Sequence, residues 1–157
     1  MHTNGVLCSE EMVDRLGIRD RINFILVSIH AATRETYDKI VKFGNFDRVM
    51  NNLKWISVEV QKKKIGYCTL IFVVHKLNYK EMPQFAQMAR ALGFSVSFTA
   101  CQNWKHASYT KDYKSITVWD ENHPEFEAYK EVLKSPILQD PHVHIQGALK
   151  PKMNEEA

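Results

Sequence analysis

Two stretches of the chain are apolar almost without interruption, INFILVSI at 22–29 and GYCTLIFVVH at 66–75, and FSVSFTAC at 94–101 begins a third strand. Runs of this length, rich in β-branched and aromatic residues, predict strands buried on both faces, as in a parallel sheet. Between them the pattern changes from continuous to helical. Phe46, Val49, Leu53, Ile56 and Val60 recur at steps of three and four, and Met82, Phe85, Met88, Ala89 and Leu92 share one side of a second helix. A shorter helix, SEEMVDRLG, has Ser9 as its cap, Glu10 and Glu11 in its first turn, and Gly17 as its stop. Thr33 caps another that the Phe43–Gly44 pair interrupts, and Gly93 ends the helix after the second strand. Asn78, with Glu81 three residues on, has the form of a capping box. Long helical connections between strands are what parallel pairing requires.

Beyond residue 101 the pattern weakens. The stretch QNWKHASYTKDYKS reads as a loop, SITVW as a short strand, NHPEFEAYKEVLK as a helix with Pro124 near its first position, and LQDPHVHIQG as irregular or a brief edge segment. A domain over 1–149 and a disordered tail over 150–157 are expected. The chain opens MHTNG, a turn signal with only two residues before it, although a strand ordinarily precedes such a turn.

At 157 residues, 45% hydrophobic and 25% charged, this is one domain with enough core to need neither disulfides nor a structural metal. A formal charge of +3 gives no specific nucleic-acid signal, and the run QKKK at 61–64 reads as the solvated end of a helix. No apolar run is long enough to span a membrane and no signal peptide is evident, so a cytoplasmic location is expected. Cys8, Cys68 and Cys101 lie too far apart in sequence for a CxxC pair or a disulfide framework.

Ligands of parallel α/β folds bind beyond the carboxyl ends of the strands. The residues expected there are Thr3, Asn4 and Gly5, then Ser28 and His30, then His75 and Asn78, then Thr99, Cys101 and Gln102. Each has a second reading. Ser28 can be a strand serine bonded to nearby backbone, Asn4 a turn former, and Asn78 a helix cap. His30 and His75 with Cys8 and Cys101 would make a nitrogen–sulfur zinc set, but no close ligand pair supports it. His142 and His144 share a face if 142–144 is a strand. Neither a GxSxG elbow nor a dinucleotide glycine fingerprint is present. Trp104, Tyr109, Tyr113 and Trp119 either line a substrate surface or cover the sheet edge.

The segments TNG, VSIHAATRETYDKI, GNFDRVMNNLKWI, FVVHKLNYKEMPQFAQMARALGF and VSFT, in this order and spacing, resemble the later part of a radical S-adenosylmethionine enzyme core. The resemblance covers roughly residues 1–101, with a vaguer likeness to about 149. It implies a partial parallel β/α barrel, with S-adenosylmethionine and a 4Fe-4S cluster as family cofactors. The family's activity is reductive cleavage of the first at the second, followed by hydrogen abstraction from a substrate. Thr3 and Asn4 match the family's turn after its third strand, Ser28 the serine ending the fourth, and Asn78 the asparagine after the fifth. These are the expected cofactor-binding residues. Phe98 and Thr99 fall on the sixth strand. His30 stands where many relatives have Asp, and Val41–Lys42 where many have a carboxylate-binding Arg.

The chain departs from the family in one respect that governs activity. It contains no CxxxCxxC, the motif whose thiolates hold the cluster, and the resemblance provides no counterpart for the first strands. The expectation is a C-terminal fragment of such an enzyme, inactive alone, in which an unpaired sheet edge recruits a second copy or a complementary N-terminal subunit. The alternative is a non-catalytic module that binds a nucleotide-like ligand or a protein.

Overall fold

A computed structural model describes residues 1–103 and 113–151. The tail after residue 151 and the loop carrying Trp104 and Tyr109 lie outside the described residues.

Five strands form one parallel sheet: β1 (His2–Thr3), β2 (Phe24–Ser28), β3 (Tyr67–Val74), β4 (Ser95–Ala100) and β5 (Val143–Ile145). Their spatial order is their chain order. A doubly wound sheet reverses direction at a switch point, whereas sequential order is the arrangement of a β/α barrel segment. Among the described residues the sheet is open, with β1 paired only to β2 and β5 only to β4. Within the opening MHTNG, His2–Thr3 form a two-residue strand, and the Met1 ammonium donates to Phe24 O.

Between the strands lie α1 (Glu10–Arg15), α2 (Arg34–Ile40), α3 (Phe46–Gln61) and α4 (Met82–Ala91). The predicted caps at Ser9 and Thr33 form, their side chains accepting from the backbone N–H groups of Met12 and Thr36, and Asn45, which was not predicted, caps α3 by accepting from Arg48 N. Gly17 and Gly93 leave their helices with positive φ, as C-terminal glycines do.

Continuous apolarity predicted strands buried on both faces, and the structure differs. Burial alternates along β2, β3 and β4 with a period of two. Ile25, Val27, Cys68, Leu70, Phe72, Val96 and Phe98 belong to the core with Leu53, Ile56 and Phe85 of the helices. Leu26, Ile71 and Val73 point the other way and stay half-buried beside Thr69, Ser97 and Thr99. The second face has no covering layer among the described residues, so residues apolar enough for burial are left partly open.

Two further expectations change. SITVW, predicted as a strand, begins in the short helix α5 (Tyr113–Ile116) and continues into a turn. The last helix, α6 (Phe126–Leu133), starts two residues beyond Pro124, because His123 Nδ1 accepts the Glu125 N–H and occupies the approach. Val143–Ile145 becomes an edge strand, with Gln146 extending the ladder through its backbone N–H to Phe98 O and its side-chain oxygen to Ala100 N. His142 precedes that strand rather than sharing a face within it.

Candidate functional site at the carboxyl ends of the strands

The turn after β1 is built tightly. Thr3 Oγ1 accepts from Gly5 N, and Asn4 Oδ1 accepts from Val6 N, both at 3.1 Å. Gly5 has φ +81°, and a Cβ there would come within 2.9 Å of Val27 Cγ1. From α3 the buried Asn52 amide reaches the carbonyls of Gly5 and Val6, at 2.8 and 3.1 Å. Sequence reading missed Asn52; a polar residue between Val49 and Leu53 on the buried stripe was the available signal.

Ser28 ends β2 half-buried, and its Oγ pairs with His2 Nε2 at 2.9 Å. The partner is a side chain on the neighbouring strand rather than backbone. After Ile29 the chain turns through His30 at φ +65°. That strained backbone is held from three directions. His30 Nδ1 accepts from Val73 N at 3.0 Å, its carbonyl accepts from Asn78 Nδ2 at 2.9 Å, and Glu81 accepts from Ala32 N at 2.7 Å.

The expected capping box at Asn78 and Glu81 does not form. Asn78 is completely buried: its Oδ1 accepts from His75 N, and its amide donates to Val73 O as well as to His30 O. Glu81 reaches across to α2, accepting from the Thr33 and Thr36 hydroxyls at 2.6 Å each. The two residues therefore tie the β3 loop to the β2 loop instead of capping their own helix. Asn78 positions the site's backbone, while Thr3, Asn4 and Ser28 present side-chain atoms at the carboxyl edge.

A cleft of about 520 Å³ opens at this edge. His30, His75 and Cys101 line it from the ends of β2, β3 and β4, with Ile40, Leu77 and Ile116 as apolar wall. Burial, then the neighbouring His75 and His2, push the His30 imidazole down to about 4. Burial also lowers His75 and raises the Cys101 thiol. Both imidazoles are neutral at neutral pH. Tyr113 donates to Cys101 O at 2.7 Å, and Trp119 packs partly against the core.

The cysteines do not make a cluster site. Cys8 and Cys68 are buried, and burial drives the Cys68 thiol up to about 12. Cys101 stands at the opposite end of the sheet from Cys68, roughly 20 Å along the strands at 3.3 Å per residue. Among the described residues no group of three His, Cys, Asp or Glu could hold a metal ion, so neither the zinc set nor a three-thiolate 4Fe-4S site fits this arrangement. No helix among the described residues is long and apolar enough to cross a membrane.

No family model matches the chain. It is similar to curated proteins described as probable GTP 3′,8-cyclases. The protein from Saccharolobus islandicus is 37% identical over 95 residues, covering 59% of this chain. The Methanocaldococcus jannaschii protein is 32% identical over 93 residues, and that of Saccharolobus solfataricus 34% over 96. The chain spans 28% of the length of these relatives. With the sequential parallel sheet and the site at its carboxyl edge, this similarity supports assigning the chain to the radical S-adenosylmethionine superfamily.

Proposed function

We propose that this chain corresponds to later strands of a radical S-adenosylmethionine core and supplies one wall of a cofactor pocket without its redox centre. The observation that carries the reading is the combination of sequentially ordered parallel strands, polar groups at their carboxyl ends and cysteines dispersed through the fold. Asn4 keeps its amide donors after its oxygen closes the turn, and Ser28 Oγ keeps capacity beside His2. These two are the proposed contacts to the nucleoside or methionyl part of S-adenosylmethionine. Thr3 holds the turn that aims Asn4, and Asn78 holds the loop that carries His30. With the cluster unsupported by these residues, no cleavage step is assigned to the chain. The relatives' name extends the proposal to a nucleotide substrate above the same strand ends.

The experiment is calorimetric titration of the purified chain with S-adenosylmethionine, beside Ser28→Ala and Asn4→Ala. Weak saturable binding that each substitution reduces about tenfold supports the reading, one hydrogen bond to a charged or polar ligand group being worth roughly 1.5 kcal/mol. Binding indifferent to both substitutions removes these residues from the pocket. Anaerobic addition of iron and sulfide is expected to leave no stable 4Fe-4S absorption.

One observation favours a second role, protein association. Both sheet edges are unpaired among the described residues, and Phe24 and Tyr67 stack at 5.5 Å on the half-open face while 38% and 52% exposed. Edges of this kind accept another strand. Sedimentation at dilute concentration tests it: a second copy or a complementary subunit gives a larger species, whereas a stable monomer argues against it.

A further inference from the structure

The cleft has a chemical character that the cofactor reading does not use. Among the described residues its ionisable lining consists of His30, His75, Lys39 and the Cys101 thiol, with no carboxylate. Lys39 directs its ammonium to Glu35 at 2.6 Å, so it contributes mainly its stem. The two imidazoles are set as donors by the backbone. His30 Nδ1 accepts from Val73 N and His75 Nδ1 accepts from Leu77 N, which fixes each neutral ring's proton on Nε2. Among the described residues no protein acceptor takes either Nε2–H. Two N–H donors without a partner among the described residues therefore belong to rings that line the cleft with Ile40, Val73 and Ile116.

We infer that the cleft binds an organic anion, a carboxylate or phosphate on an apolar body, whose oxygens accept from the Nε2–H groups of His30 and His75. The two rings have different parts. His30 donates as a neutral group, because a proton on Nδ1 would face the Val73 N–H within the sheet. His75 takes up the proton that accompanies binding. Its Nδ1 bond to Leu77 N is longer, at 3.2 Å, and lies in an exposed turn where water can replace it. Among the described residues the charged or titratable groups lining the cleft with His75 are His30, Lys39 and Cys101; the adjacent Lys76 is turned to Glu125. A bound anion favours the imidazolium over the neutral ring, so affinity rises as pH falls.

The test uses the whole chain with no cluster or S-adenosylmethionine, so it is independent of the cofactor proposal. Histidine Cε1–H resonances are followed by NMR during titration with benzoate, phenyl phosphate and the uncharged benzyl alcohol. Saturable shifts of His30 and His75 with either anion, binding about tenfold tighter than the alcohol, support the site. The tighter anion identifies the oxygen source. Affinity for it should increase at least about threefold between about pH 7.5 and about pH 6. His75→Gln keeps a donor and should abolish that pH dependence. Leu77→Asp, at a side chain 60% exposed, places a carboxylate at the mouth and should weaken anion binding by a larger factor than it weakens binding of the alcohol. Equal binding of the alcohol, a pH dependence that survives His75→Gln, or shifts confined to other histidines would overturn the inference.

Discussion

The Asn78 side-chain amide donates to the His30 carbonyl oxygen across 2.9 Å, bridging 48 positions of sequence. That bond joins the loops at the ends of β2 and β3. It fixes the one non-glycine residue at the carboxyl edge of β2 whose backbone is left-handed. Asn78→Ala would strand His30 O, Val73 O and His75 N in a site the side chain fills completely. The expected loss is about 2–4 kcal/mol, read as a lower urea midpoint at unchanged slope. Asn78→Asp should be no better, since it replaces two donors by an oxygen facing two carbonyls.

Glu81 holds the other half of the same loop. Glu81→Gln retains one acceptor and turns the second position into a donor facing hydroxyls that can reorient, so a loss of about 1 kcal/mol is expected. Glu81→Ala removes every contact to Ala32, Thr33 and Thr36. Amide exchange at Ala32 and Thr33 should then accelerate well before the amides of β3 do, showing local opening rather than global unfolding.

Two glycines separate backbone strain from crowding. Gly5 and Gly17 both have positive φ, but a Cβ at Gly5 meets Val27 and Val49, whereas one at Gly17 meets nothing within 4 Å. Gly17→Ala should cost about 1 kcal/mol and Gly5→Ala about 2–4 kcal/mol, because only the second must also displace packed side chains. Thermal unfolding of the pair measures the difference.

Acid should destabilise the fold through His30. Its folded value near 4 lies below the usual imidazole range, so between about pH 6.5 and pH 4 the unfolded chain binds the proton and the folded chain does not. Stability is fully present above that window and falls as pH drops through it, by on the order of 2 kcal/mol. The lowered His75 acts in the same direction. His30→Asn, which tolerates the left-handed backbone, should flatten the dependence of the urea midpoint on pH in this window.

Much of the scaffold was legible because it depends on local periodicity. The spacing of Val49, Leu53 and Ile56 defines the buried stripe of α3, and Ser9, Thr33 and Gly93 mark helix ends by side-chain reach and backbone freedom. Those effects act over a few residues, so neighbouring letters contain them. Asn78–Glu81 shows where such reasoning stops. Its spacing suits a local cap, but both side chains find partners more than 40 residues away. SITVW likewise has strand composition but is taken up by a short helix and a turn.

By itself the sequence determined the central strands and the main helices up to residue 101, that those strands run parallel, and that the cysteines lack a cluster motif, since each follows from residue type and spacing. Only the tertiary structure decided that, among the described residues, one sheet face is left half-open, that MHTNG carries a two-residue edge strand, and that His30 and His75 share a cleft with no acceptor for their Nε2–H groups among those residues. The physical reason is that face coverage, edge pairing and tautomer depend on which distant backbone groups arrive beside a residue, and hydrogen bonds across the sheet are blind to sequence separation.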